Sequence, residues 1–100
     1  MTAYLIADID IHDDKAYEDY RRRVPAIIAA YGGRYLVRGS TAEVLEGDYK
    51  PARGIVIEFP SMDAAKRFLS SPEYRPLRAI RQRCARTNLI AFEGVVAPSP

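Results

Sequence analysis

Residues 3 to 11 alternate between two kinds of face. Ala3, Leu5, Ala7, Ile9 and Ile11 form one wholly apolar set, and Tyr4, Ile6, Asp8 and Asp10 form a mixed one. A two-residue period of this kind predicts a strand with two different faces. The period then changes. Tyr17, Tyr20, Val24, Ile27, Ile28 and Tyr31 fall three and four apart, the stripe of an amphipathic helix. Asp13 stands ahead of it as an N-cap whose carboxylate accepts from unpaired amides. Pro25 interrupts the stripe, removing a donor and disfavouring helical geometry at Val24, so a kink or two abutting helices are expected there. The pair Gly32-Gly33 supplies the left-handed residue that ends the helix.

A second strand is expected over 34–38, and a short one over 42–46 after a turn at Gly39-Ser40. Gly54 to Phe59 is rich in isoleucine and valine and ends at Pro60, which marks a third main strand. Ser61 caps a helix in which Met62, Ala65, Phe68 and Leu69 share a face. Ser71-Pro72-Glu73 restarts a helix with proline at its favoured first position, and that helix turns Tyr74, Leu77, Ile80 and Cys84 inward. Asn88 to Val95 reads as the last strand.

This order is the βαββαβ arrangement of an α+β, ferredoxin-like sandwich, an antiparallel sheet with its helices on one face. Residues 1–96 form one domain and 97–100 a flexible tail. Strand parity assigns Leu5, Ala7, Ile9, Tyr35, Val37, Ile55, Ile57, Phe59, Ile90 and Phe92 to the helix-covered face. The open face would carry Tyr4, Ile6, Asp8, Asp10, Arg34, Leu36, Arg38, Val56, Glu58, Leu89, Ala91 and Glu93. Such a face is too apolar to be left in water and too charged for a dry core, so a partner subunit or a ligand is expected to cover it.

Composition narrows the function classes. A net charge of +2 does not argue for nucleic acid or a membrane. No run approaches the ~20 apolar residues of a membrane span, and no basic leader precedes the first strand. The single cysteine, Cys84, excludes an internal disulfide, and a reducing, cytoplasmic setting is expected. Seven tyrosines and no tryptophan suit a half-wet cleft or interface.

Several segments together resemble a family. They are Ala16-Tyr17 through Tyr20 with Val24-Pro25, Tyr31-Gly32-Gly33-Arg34-Tyr35-Leu36-Val37-Arg38-Gly39, Glu46-Gly47, Ile57-Glu58-Phe59-Pro60-Ser61, Ser71-Pro72-Glu73-Tyr74 and Glu93-Gly94. On these the chain resembles the small bacterial proteins of domain-of-unknown-function family 1330, within the dimeric α/β-barrel superfamily. The resemblance implies a ferredoxin-like protomer whose sheet packs on its two-fold mate, giving a barrel with a cleft. It implies no activity. The wider superfamily spans haem-degrading and quinone-forming oxygenases, lactone isomerases and ligand-sensing modules, and likeness of fold does not choose among them.

The residues themselves offer one constellation. Asp8, Glu58 and Glu93 with Arg34 and Arg38 are expected on the open face. Arginine's planar fork suits a carboxylate or enolate, so Arg38 and Arg34 are candidate substrate-binding residues. Glu58 and Asp8 are the candidate catalytic groups, moving a proton. The competing reading is that these charges pair with one another or across a dimer interface. His12 reads as a solvated loop histidine and Cys84 as a buried, inert thiol. No metal or cofactor is expected, because one loop histidine does not make a ligand cluster. The arginine-rich stretches 21–23 and 75–86 read as solvated helix faces, and Gly32, Gly33 and Gly39 as turn residues.

Two functions are compatible with this pattern. One is a homodimer with a cofactor-independent site for a small acidic, phenolic or keto-enol molecule in the sheet cleft, isomerase- or oxygenase-like. The other is a non-enzymatic dimerisation or ligand-binding module. An open, ligand-sized cavity favours the first and a filled, fully paired interface the second.

Overall fold

The computed structural model describes residues 1–95, and the tail expected at 97–100 lies outside them. The chain runs β1 (Ala3–Ile11), α1 (Asp14–Ala30), β2 (Arg34–Thr41), β3 (Arg53–Phe59), α2 (Met62–Ser70), α3 (Arg75–Cys84) and β4 (Ala85–Glu93). The four strands make one antiparallel sheet in the order β2-β3-β1-β4. Leu5, Ala7 and Ile9 of β1 with Ile57 and Phe59 of β3 pack against Tyr17, Tyr20, Val24 and Ile28 of α1, Phe68 of α2 and Leu77 of α3. The core is therefore a helix layer on one sheet face. Among the described residues, no helix is long and apolar enough to cross a membrane.

The helix ends follow from their capping groups. Asp13 Oδ1 accepts from the Ala16 amide at 3.1 Å, and Ser61 Oγ from the Ala64 amide at 3.0 Å. At the far end of α1, Gly33 N–H donates to Ile28 O at 2.9 Å and Gly32 N–H to Ala29 O at 3.0 Å, with Gly32 at φ +81°. That is a Schellman closure, and it needs a residue without a Cβ at Gly32. Two abutting helices are not formed at Pro25: α1 is assigned as one helix through it, held by Val24 and Ile28 in the core on either side.

Three local expectations are corrected. No strand forms at 42–46; β2 instead runs on through Gly39 to Thr41, and the chain leaves the sheet as a loop in which Leu45 is exposed. Gly39, at φ +79°, bulges the strand rather than ending it. Residues 71–74 form a turn, not the first turn of α3. Ser71 Oγ donates to Phe68 O at 2.8 Å and accepts from Tyr74 N at 3.2 Å, closing α2 before α3 begins with Pro76 near its start.

The third correction concerns β4. Leu89 pairs with Ala7 and Ala91 with Leu5, so these two lie toward the helices, as does Glu93 opposite Ala3. Ile90 and Phe92 lie on the open face and are exposed. Residues 89–92 are all apolar, so this stretch carries no alternation from which parity could be read.

Candidate functional site

On the open face, cross-strand partners line up in rows. One row is Arg34, Glu58, Tyr4 and Phe92, the next Val37, Val56, Ile6 and Ile90, and the third Gly54, Asp8 and Asn88. Arg34 Nε donates to Glu58 Oε1 at 2.8 Å. This hydrogen bond and the charge of Arg34 hold the Glu58 carboxyl below its usual 4.5, with a smaller contribution from Tyr4. Asp8 is engaged by the long loop: Tyr49 Oη donates to its Oδ2, and the Ala52 amide to its Oδ1 at 2.8 Å. Both candidate proton-moving groups thus have partners within the chain.

Arg38 does not join them. Arg34 pairs with Glu58 and Tyr35 with Ile57, but Val37 then stands opposite Val56 and Arg38 opposite Ile55. The extra residue at Leu36–Val37 inverts the alternation and carries Arg38 to the helix side of the sheet. There its guanidinium lies 4.8 Å from the centre of the Tyr35 ring, a cation–π contact. The expected single cluster of Asp8, Glu58, Glu93, Arg34 and Arg38 is split. Asp8, Glu58 and Arg34 share the open face, while Arg38 and Glu93 belong to the other.

Arg38 opens onto a cavity of about 510 Å³ between α1 and the β2-β3-β1 part of the sheet. Ile9, Val24 and Ile55 give it apolar walls, and Tyr17, Tyr20 and Tyr35 line it with aromatic rings. Its charges are Arg21, Arg38 and Arg53 against Asp14. Asp14 is already engaged by Arg21 at 3.0 Å, so the remaining lining charge is positive. Burial pushes the Tyr17 phenol up to about 12 and raises Tyr20 and Tyr35 as well. At neutral pH all three are hydrogen-bond donors, suited to an oxyanion or a carbonyl oxygen.

Behind the tyrosines lies a group the sequence reading placed on a solvated face. Arg81 is only 9 % exposed. Its Nε donates to Tyr74 Oη at 3.2 Å, and Tyr74 Oη is 2.7 Å from Tyr20 Oη. No carboxylate pairs with Arg81 among the described residues. It borders a smaller void of about 30 Å³ with Thr87, whose buried Oγ1 has no hydrogen-bond partner among the described residues. A signal for Arg81 was available: it falls four after Leu77 and three before Cys84, on the inward stripe of its helix.

His12 sits at the end of β1, where its amide donates to Cys84 O at 2.9 Å. Cys84 is buried. Among the described residues, no group of three or more His, Cys, Asp or Glu side chains converges to hold a metal ion.

The sequence model of the domain of unknown function DUF1330 matches residues 2–95. The chain belongs to the DUF1330 family. No curated protein matches it. Solved structures do. RPA0582, a protein of unknown function from Rhodopseudomonas palustris, is 20% identical with a TM-score of 0.77, over 96% of this chain and 84% of that one. SnoaB, a cofactor-independent oxygenase from Streptomyces nogalater, is 16% identical with a TM-score of 0.66, over 96% and 95% of the two chains. A dimeric ferredoxin-like protein of unknown function from Jannaschia sp. CCS1 is 10% identical with a TM-score of 0.64, over 94% and 100%. At these identities the likeness establishes that this DUF1330 chain has the ferredoxin-like fold, and no more.

Proposed function

We propose that the protein is a homodimer joined through the open sheet face, and that each protomer holds a small acidic, phenolic or keto-enol molecule without a cofactor. The binding place is the cavity under α1 rather than the open face. The observation that carries this reading is the cavity of about 510 Å³, of ligand size, with Arg38 at its wall and a lining of net positive charge. Arg38 keeps its role as a ligand contact. Arg34, Glu58 and Asp8 are assigned to the open face, where they fix register between protomers and hold the long loop.

The dimeric neighbour of like fold supports the assembly, and the likeness to SnoaB supports an oxygenase-like version of the cavity. In that version dioxygen is the oxidant and an electron-rich enolate or phenolate is the reductant. The alternative is a ligand-binding module. One observation favours it: among the described residues the cavity lining holds a single carboxylate, Asp14, and Arg21 engages it, so no free general base faces the cavity there.

A thermal-shift screen of small carboxylates and phenols tests the proposal, since a ligand that binds only the folded state raises the melting temperature. A hit whose shift disappears in Arg38→Met and persists in Arg34→Met is the expected result. A hit that depends on Arg34 and not on Arg38 returns the site to the open face.

A further inference from the structure

Arg81 has the features of a residue kept for a purpose other than stability. A buried cation without a carboxylate partner is costly, and replacing it by an apolar side chain is often neutral or better for the fold. Among the described residues its side chain makes one hydrogen bond, to Tyr74, and through it reaches Tyr20, which lines the cavity.

The direction of that chain follows from its first member. A guanidinium only donates, so Tyr74 Oη accepts from Arg81 Nε. Tyr74 is then free to give its own proton to Tyr20 Oη, 2.7 Å away. In that arrangement the Tyr20 hydroxyl keeps its own proton to give, and Tyr20 is the member of the chain that lines the cavity. Each bond in such a chain polarises the next, and the cation at its head strengthens the last donor.

We propose that Arg81, Tyr74 and Tyr20 form a polarised donor chain whose end, the Tyr20 hydroxyl, binds the oxygen of an enol or phenol as its anion. The inference rests on the cavity reading above and narrows its ligand. A single hydroxyl donor matches a one-oxygen anion, whereas a carboxylate is better served by a two-pronged guanidinium, and the guanidinium of Arg81 lies behind the tyrosines. The rings of Tyr17 and Tyr35 and the walls of Ile9, Val24 and Ile55 suit a flat apolar body attached to that oxygen. The other charges facing this space are Arg38 and Arg53, with Arg21 and Asp14 neutralising each other. Arg81 and Tyr74 act through Tyr20 and are positioning residues.

The test uses 4-nitrophenol, whose anion has its own visible band, and 4-nitroanisole, which has the same shape and no ionisable proton. With the pH buffered just below the solution pKa of 4-nitrophenol, binding to the wild type should increase the phenolate band. In Arg81→Met and Tyr74→Phe the ionisation constant of the bound probe should fall about tenfold. Their affinity for 4-nitroanisole should stay unchanged. Tyr74→Phe removes one hydroxyl from a ring packed 4.4 Å from that of Phe68, and it carries the test if Arg81→Met does not fold. Equal enhancement in wild type and variants overturns the donor chain and leaves the cavity reading standing, with Arg38 supplying the charge. Failure of the wild type to bind either probe overturns both.

Discussion

Arg34 and Arg38, four residues apart on one strand, face opposite sides of the sheet. In an unbroken strand positions i and i+4 share a face. Here the bulge at Leu36–Val37 separates them, leaving Arg34 on Glu58 and Arg38 over Tyr35 at the cavity wall. The two arginines should therefore be separable by mutation. Arg38→Met is expected to abolish binding of a screened ligand while sedimentation equilibrium shows the oligomer unchanged. Arg34→Met is expected to leave ligand affinity per folded protomer within about twofold, because the Arg34 side chain is largely exposed and neither it nor Glu58 lines the cavity. Loss of binding in both variants alike would show that the bulge does not divide their roles.

The acid side of the stability profile should carry the mark of Glu58. Its folded-state pKa lies below the usual 4.5, so the fold favours the ionised carboxylate. That contribution is fully present above the unfolded value and is lost as the pH falls through the depressed folded one. Thermal melts from pH 5 downward should show a shallower fall in Glu58→Gln than in wild type. Parallel curves would mean that Arg34 does not favour the ionised form in solution.

The alkaline side should report the buried tyrosines. The Tyr17 phenol, ordinarily near 10, is raised to about 12, and Tyr20 is raised in the same sense. Folding favours their protonated forms, so their contribution is complete below about pH 10 and is lost as the pH rises through the folded values. Ultraviolet difference spectra should show these two tyrosines ionising after the exposed Tyr49 only to the extent that the Tyr49 bond to Asp8 permits. Tyr17→Phe should soften the loss of stability above pH 10. Ionisation of every tyrosine near 10 in the folded protein would contradict the burial.

Most of the topology was legible because each element declares itself by its own period and stop signals. The alternation of Ala3 to Ile11, the stripe from Tyr17 to Tyr31 and the closure at Gly32-Gly33 all survive in the structure. What failed was parity. The apolar run 89–92 has no alternation, and the bulge at Leu36–Val37 leaves no special residue at its position, so a single extra residue moved Arg38 across the sheet. Gly39 signals irregularity in the sequence, but a glycine of positive φ serves a bulge as well as a turn. The candidate site was less legible than the fold, for a physical reason. Tyr17, Tyr20 and Arg81 occupy core positions of their helices and Tyr74 the turn before α3, and only side-chain contacts distinguish a packed tyrosine from one whose hydroxyl is linked to a buried arginine.

Gly33 sits where α1 and the sheet pack closely. A Cβ there would lie 2.7 Å from Ile28 Cγ2 and 2.7 Å from Phe59 Cε1, and Phe59 is fully buried. Neither neighbour has room to withdraw. Gly33→Ala should cost about 1–3 kcal/mol by overpacking, read from urea unfolding with an unchanged slope. A loss below about 0.5 kcal/mol would show that the α1–β2 junction relaxes more readily than these contacts allow.

The apolar open face is the strongest reason to expect a second copy. Leu36, Ile90 and Phe92 are 47%, 53% and 57% exposed, and Val56 and Ile6 lie beside Ile90 in the same row. The parity of β4 makes this face more apolar than the sequence implied, because Ile90 and Phe92 replace Leu89, Ala91 and Glu93 upon it. A contiguous patch of this kind is unusual on a monomer, whereas a two-fold axis through it buries each residue against its own counterpart or a neighbour. Sedimentation equilibrium at micromolar concentration should give twice the chain mass. Phe92→Asp replaces an apolar interface side chain by a charge, while the cation of the same row, Arg34, is already paired with Glu58, and it should weaken association by at least about 2 kcal/mol, roughly thirtyfold in Kd. Phe92 lies on the opposite side of the sheet from the cavity, so the dissociated variant should still bind the ligand found by the screen. A monomeric wild type would reject the dimer, and a Phe92→Asp dimer of undiminished affinity would place the interface elsewhere; either would leave the apolar row of Val56, Ile6 and Ile90 without an explanation.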